Sequence, residues 1–226
     1  DFQPSPLNRV HKTFAPGNSW AGSGRGVTQK YFTNTTADSV RIWEITNDTL
    51  TYASSDETTN IPTSISMYVA DELYKNVTID EDTHAVVEYK DKSGLVVLKK
   101  VQVGDIASDY SGHAGFLCTY YIYDDFNQLR FVLQPKAVNL VMENDWEIST
   151  EMAKELCFRY EYDDRNRMIA KKVPGSGWVY MIYDKRDRLV YSQDANLRAK
   201  NQWLGTLYDD LNRPAMTGIL TYSGDI

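Results

Sequence analysis

Only two cysteines, Cys118 and Cys157, occur in 226 residues. They allow one disulfide at most, which is no disulfide framework, and they lack the paired spacing of a zinc site. Three histidines, His11, His84 and His113, are scattered without an i,i+4 partner and form no metal-site pattern. The longest aliphatic run, Leu95-Val96-Val97-Leu98, is far too short to cross a bilayer. Basic charge is also scarce: 24 Lys and Arg stand against 31 Asp and Glu, a net charge of −7. Residues 1–113 alone carry 10 basic and 15 acidic groups. A non-specific nucleic-acid binder, or a binder of anionic membranes, needs the opposite sign. No Ser/His/Asp or Cys/His set suggests a nucleophile. These absences lead to the expectation of a chain with no enzyme activity, no cofactor and no metal.

Present instead is ordinary globular material, 42% hydrophobic and 24% charged, with 16 Tyr and 5 Trp. Disorder and collagen-like structure are excluded, and aromatic-rich chains lean toward strands. Residues 1–26 are rich in Pro, Gly, Asn and Ser and are expected to form an extended lead-in and loop. Strand-like segments follow at Val27–Thr33, Val40–Thr46 and Ser64–Val69. Leu73–Ile79 and His84–Lys90 flank the polar tetrad Asp80–Thr83 in a hairpin pattern, and Gly94–Val103 is the next strand. The one helical pattern is Ser149–Leu156, N-capped by Ser149 or Thr150, inside a 134–156 insertion. Asp1-Phe2-Gln3-Pro4 shows neither an initiator Met nor a signal-peptide pattern, which favours a piece excised from something longer.

The strongest signal is an internal repeat. Four segments align without a gap over the kernel Tyr-Asp-x-x-(Asn/Asp)-(Arg/Gln)-apolar: Tyr123-Asp124 with Asn127, Tyr162-Asp163 with Asn166, Tyr183-Asp184 with Asp187, and Tyr208-Asp209 with Asn212. A looser copy runs from Tyr89 through Asp91 to Gly94. Asp opens a turn because its carboxylate accepts N–H bonds from residues two and three further on. Asn, Asp and Gly are the residues that tolerate positive φ. A type I turn closed by a left-handed residue and a bulge is a common tight connection, so each unit is expected to be one β-hairpin. Period-2 alternation along Thr119, Tyr121, Tyr123 and along Phe158, Tyr160, Tyr162 places an apolar face on the tyrosine side. The same pattern follows in Val179, Met181, Tyr183 and in Leu204, Thr206, Tyr208. After the turns, Leu129, Phe131, Leu133, Met168, Ala170, Leu189, Tyr191, Pro214 and Met216 continue it. A lone hairpin is marginal in water, so successive hairpins must pair edge to edge. The resulting expectation is an all-β fold of consecutive antiparallel hairpins in a twisted, curved sheet. It has an N-terminal β-rich region, 1–83, and a repeat region, 84–226, with turns near 91–94, 124–127, 163–166, 184–187 and 209–212.

These kernels resemble the Rhs, or YD-repeat, family, whose signature is Tyr-Asp-x-x-Asn/Gly-Arg-Leu at about 20-residue spacing. The lead-in Phe2–Arg9, the phrase Glu88–Lys99 and Asp184–Arg188 look like the long Rhs-type surface proteins of the Bacteroidetes. The resemblance implies a secreted or cell-surface segment of a hollow shell. Its partners would be neighbouring repeats and a C-terminal cargo, often a toxin. The family's C-terminal core with its Asp-Pro-x-Gly cleavage signature is absent, which places self-processing and toxin activity outside these residues. Some members are described as carbohydrate-binding or adhesive.

Other constellations are weaker. The pairs Asp124/Asp125, Asp163/Asp164 and Asp209/Asp210 lack the spacing of a calcium loop and the facing geometry of a glycosidase. A turn-capping first Asp and a solvated second are expected. Gly22-Ser-Gly24-Arg-Gly26 lacks the strand, helix and Lys of a phosphate loop. Cys118 and Cys157 stand at one repeat offset, two strands apart, and are expected to be free buried thiols. Asn34-Thr-Thr36, Asn47-Asp-Thr49 and Asn76-Val-Thr78 match the glycosylation sequon by coincidence. Trp178, Tyr180 and Trp203, on the face opposite the tyrosine stripe, are the candidates for glycan contact if exposed, since flat rings stack on sugars. If both tryptophans are buried, that alternative loses its platform. A cut hairpin string also leaves unpaired edges, so an edge-strand homodimer is expected of an isolated piece.

Overall fold

A computed structural model describes residues 1–4, 6–17, 23–45 and 59–222. The sequon at Asn47, the end of the expected strand Val40–Thr46 and Gly22 lie outside the described residues. The strands are β1 Lys12–Thr13, β2 Val27–Thr33, β3 Arg41–Glu44, β4 Thr63–Met67, β5 Tyr74–Ile79, β6 Ala85–Lys90, β7 Val96–Gln102 and β8 Phe116–Tyr123. They continue as β9 Leu129–Leu133, β10 Cys157–Tyr162, β11 Met168–Lys172, β12 Val179–Tyr183, β13 Leu189–Gln193, β14 Gln202–Tyr208 and β15 Pro214–Thr221. The fold is all-β and antiparallel, as expected. Among the described residues three short α-helices interrupt it: α1 Pro135–Glu143, α2 Thr150–Leu156 and α3 Ala195–Arg198. Among the described residues no helix is long and apolar enough to cross a membrane.

Contacts divide the chain into two compact units, 1–44 with 64–121, and 45–63 with 122–226, the division falling inside β8. In the first unit the sheet order is β1-β2-β5-β6-β7-β8, and β3 and β4 pair as a separate ribbon. The strict inside–outside alternation of β6 buries Ala85, Val87 and Tyr89. Leu73, Val77, Leu98, Phe116, Cys118 and Tyr120 complete that core. The lead-in is not wholly loop: β1 pairs with β2, and Phe2 bridges Val10.

In the second unit β9 to β15 follow one another in sequence order, each antiparallel to the last. The insertion between β9 and β10 holds two helices rather than one. α1 begins with Pro135 at its first turn, where the missing N–H costs nothing, and buries Ala137, Val138 and Val141 on one face. α2 is capped by Ser149, whose Oγ accepts from the Met152 N–H at 3.2 Å.

The buried face of the first arms is the opposite of the one expected. Tyr160 and Tyr162 are only half-buried, whereas Cys157, Arg159 and Glu161 point into the core. The cause is the bulge that closes each turn. Tyr162 pairs with Met168, but Glu161 already pairs with Ala170, because the register slips by one between them. The same slip occurs at Ile182/Tyr183 and at Leu207/Tyr208. Of the second arms, β9 and β11 keep the expected side, with Phe131, Leu133 and Ala170 buried. Leu189 and Tyr191 on β13 are half-buried, and Pro214 and Met216 on β15 are exposed because no further strand covers them among the described residues.

Candidate functional site

Each kernel builds the same turn. Asp124 Oδ1 accepts from the N–H groups of Phe126 and Gln128, both at 3.0 Å. Asp163, Asp184 and Asp209 repeat this with the residues two and four further on. The third N–H, expected on the carboxylate, goes instead to the main-chain carbonyl of the Asp, as from Asn166 to Asp163 at 2.9 Å. That bond closes the type I turn and leaves the carboxylate to reach past the bulge. Asn127, Asn166, Asp187 and Asn212 have φ of 61–62°, and Gly94 has 85°. Asp91 makes the same bonds with Gly94 and Leu95 in the loose copy.

A further copy of the turn was not apparent from the kernel. Asp80 Oδ1 accepts from Asp82 and His84, and the Thr83 N–H donates to the Asp80 carbonyl. Thr83 takes the left-handed position at φ 71°. Its β-branched side chain and the lack of a Tyr-Asp pair hid the copy.

The remaining Asp oxygen holds an arginine. Arg167, Arg188 and Arg213 each grip their own kernel Asp through Nε and Nη2 at 2.6–2.8 Å. This holds the carboxyl groups of Asp163, Asp184 and Asp209 below the usual range, against a counteracting desolvation. Asp124 has Gln128 at that place, so its Oδ2 takes Arg130 at 3.3 Å. Arg130 also grips Glu161, which Asn60 contacts at 3.3 Å. Burial pushes Glu161 up despite Arg130. The second carboxylates, Asp125, Asp164 and Asp210, are exposed.

Neighbouring hairpins are fastened by the same kernel side chains. The residue after each left-handed position bonds the left-handed residue of the next hairpin: Gln128 to Asn166 at 2.8 Å, Arg167 to Asp187 at 2.7 Å, Arg188 to Asn212 at 2.9 Å. The tyrosine hydroxyls of the last three kernels donate back to the carbonyl of the residue after the preceding kernel's Gln or Arg: Tyr162 to Leu129 at 3.2 Å, Tyr183 to Met168 at 2.9 Å, Tyr208 to Leu189 at 2.8 Å. Arg167 and Arg188 lie over the rings of Tyr183 and Tyr208 at 4.9 and 4.8 Å. The kernel thus encodes the contact between hairpins as well as the turn.

The glycan candidates face inward. Trp178, Tyr180 and Trp203 are 3%, 7% and 6% exposed and form one cluster with Ala170. Trp178 and Trp203 stand five residues before the kernel tyrosine, the offset that holds Cys118 and Cys157 in the earlier copies. All four are buried. Both cysteines are free, and burial raises the thiols to about 11 and about 12. Arg159, fully buried, lies over the Trp178 ring at 4.9 Å. Beside Trp203 an open hollow of about 280 Å³ is lined by Ile182, Tyr191, Trp203, Leu220 and Tyr222. The paired glycines Gly205 and Gly218 lie in the cross-strand row between those walls.

The first unit holds a separate buried polar cluster. Asp38 accepts from Lys75 at 2.6 Å and from the Tyr89 hydroxyl at 2.7 Å. Lys100 donates to the carbonyls of Tyr110 and Gly112 at 2.7 Å and lies over the Phe116 ring. Burial lowers Lys100 to about 8, partly opposed by Asp38. His113 is lowered to about 4, by burial and then by Lys100. Tyr120 accepts the Arg41 N–H at 3.2 Å, and its hydroxyl shares a hydrogen bond with His113 Nε2 at 2.9 Å. These groups are committed to one another and to carbonyls, as structural core polar groups are.

His11, His84 and His113 do not converge, and among the described residues no group of three or more His, Cys, Asp or Glu is placed to hold a metal. Asn34 spends its amide on Val69 and Leu73 inside the first unit, which leaves its side chain no room to carry a glycan.

No protein-family model matches the chain, and no curated protein matches it. Solved structures are similar, among them the following three. The Photorhabdus luminescens Tc holotoxin pore has a TM-score of 0.48 and 13% identity over 68% of this chain and 8% of that chain. TcdB2-TccC3 without its hypervariable C-terminal region has 0.46 and 14%, over 68% and 8%. TcdB2-TccC3-TEV has 0.46 and 12%, over 97% and 10%. The chain therefore spans a tenth or less of their length. A likeness of this size carries no argument about activity or partners.

Proposed function

We propose that this chain is a non-catalytic wall segment of an Rhs-type shell, secreted or displayed at a bacterial surface, that encloses or presents a C-terminal cargo domain. The supporting observation is that the first three kernels spend their Asp on their own turns and their Gln or Arg on the next hairpin, while the tyrosines of the last three bond the hairpin before them. Side chains used this way are unavailable for chemistry, and they make a wall extensible by repetition. The carbohydrate-binding alternative has lost its exposed platform, because Trp178, Tyr180 and Trp203 are core residues.

Three assays test the reading. The purified chain is run against a panel of glycoside, ester and phosphoester substrates and on a glycan array. No turnover and no glycan binding are expected. Turnover abolished by a single Asp or Glu substitution overturns the wall reading, as does saturable glycan binding. In the native, full-length protein, the domain C-terminal to this segment is expected to resist protease until the wall is unfolded. Digestion of that domain at the same rate with the wall intact also overturns it.

A further inference from the structure

Among the described residues the fourth kernel makes its own turn and holds no following hairpin. Arg213 grips Asp209, yet its side chain is 71% exposed, against 22% for Arg167 and for Arg188. Among the described residues no tyrosine reaches the carbonyl of Pro214, which corresponds to those of Leu129, Met168 and Leu189. Among the described residues β15 pairs with β14 alone, and all eight of its residues are exposed.

The inner face repeats the vacancy. Cys157 faces Leu133, which lies five residues after Gln128. Carrying the other registers on by one residue sets Trp178 opposite Lys172 and Trp203 opposite Gln193. The rule is that the residue five before a kernel tyrosine faces the residue five after the preceding kernel Arg or Gln. Five after Arg213 is Gly218, and nothing lies within 4 Å of where its Cβ would be. Its partner Gly205 is covered: a Cβ there would lie 3.2 Å from the Tyr191 ring. A bare strand glycine covered by a cross-strand aromatic is a common way to restore packing.

We infer that the open side of β15 is the docking surface for one further β-hairpin of sequence aromatic-x-x-x-x-Tyr-Asp-x-x-(Asn/Asp). Its tyrosine hydroxyl donates to the Pro214 carbonyl and its ring lies under Arg213. Its left-handed Asn or Asp accepts from Arg213, and its leading aromatic covers Gly218 at the hollow. This rests on the wall reading and names the wall's next element. A second copy meets the requirement less well: a fully registered antiparallel β15–β15 pair sets Arg213 against the stretch around Tyr222, which carries no kernel.

The probe is a synthetic peptide of residues 178–193, cyclised through its ends because a free hairpin is marginal. It carries Trp178, Tyr183 and Asp187 in the required places. Fluorescence anisotropy with the full chain is expected to show saturable binding. Arg213→Ala or Gly218→Val in the chain should weaken it at least tenfold, as should Tyr183→Phe or Asp187→Ala in the peptide. Gly218 is exposed with open space around it, so its valine variant keeps the fold and fills only the vacancy. Binding indifferent to these changes reveals an adhesive apolar edge and overturns the inference. So does an absence of binding, and so does a chain dimer in sedimentation that excludes the peptide. Turnover or glycan binding in the earlier assays would sink the wall reading with the peptide result unaffected, so the two failures are separable.

Discussion

At the scale of single residues, the turn has three requirements: an acceptor at the Asp, a left-handed residue three further on, and a partner for the second carboxylate oxygen. Thr83 meets the second at a cost, because a β-branched residue at φ 71° is strained. Thr83→Asn, which installs the residue used at 127, 166 and 212, should stabilise the fold by about 1 kcal/mol. Thermal unfolding should show it as a rise in Tm of about 3 °C. Asp124 is the opposite case. Its side chain is 2% exposed, its Oδ1 takes two N–H groups, and its Oδ2 helps hold Arg130, itself buried against Glu161. Asp124→Ala leaves a buried guanidinium short of one partner and should cost about 3 kcal/mol in chemical denaturation. Asp209→Ala, at a turn open to solvent, should cost clearly less. Equal losses at the two sites would show that the buried triad adds nothing to the turn.

At the scale of elements, the hairpins were legible because turn chemistry is local: Asp, then Asn or Asp three residues on, specifies a backbone shape without reference to the rest of the chain. The face that each strand buries was not legible in the same way. It depends on which side of the bulge the register is counted from, and one inserted residue reverses it, so Arg159 and Glu161 went inside while Tyr160 stayed at the margin. Interior Arg and Glu look like surface residues until their partners, the Thr59 carbonyl and Arg130, are in place. α1 was hidden by Pro135, which starts the helix but is rare in helix interiors, and by Val138 and Val141, which favour strands in isolation. The 137, 138, 141 spacing was the available signal. α2 was found through its cap, and that cap can be weighed. Ser149→Ala should destabilise by about 1 kcal/mol, and Ser149→Asp should restore most of the loss. Urea unfolding followed by far-ultraviolet circular dichroism measures both, and an unaltered midpoint in the Ala variant would remove the cap from the account.

At the scale of the molecule, net negative charge and covered aromatics suit a wall better than a recognition surface, and the stability of such a wall should carry a signature of its buried polar core. His113 is held near 4 from an ordinary 6.5, because burial and the neighbouring Lys100 disfavour its charged form. As pH falls from about 6.5 to about 4, the unfolded chain takes up a proton that the folded chain refuses, so stability falls across that window and is fully present above it. The turn aspartates with depressed values add their own loss only lower, as pH falls below the usual 3.8. Lys100, lowered from 10.5 to about 8, acts on the alkaline side with the other sign: the folded chain releases its proton first, and stability rises from about 8 toward 10.5. Cys118, Tyr89 and Tyr120 are all raised by burial and oppose that gain, because the unfolded chain loses their protons first. The acid limb is therefore the one to measure. His113→Gln keeps a hydrogen-bonding partner for the Tyr120 hydroxyl and removes the titration, so the gap between the stability curves of the two proteins should change between pH 6.5 and 4 and stay constant from 6.5 to 8. A gap that is constant throughout would mean that His113 titrates alike in the folded and unfolded chain, and the buried cluster would then play no part in the protein's response to acid.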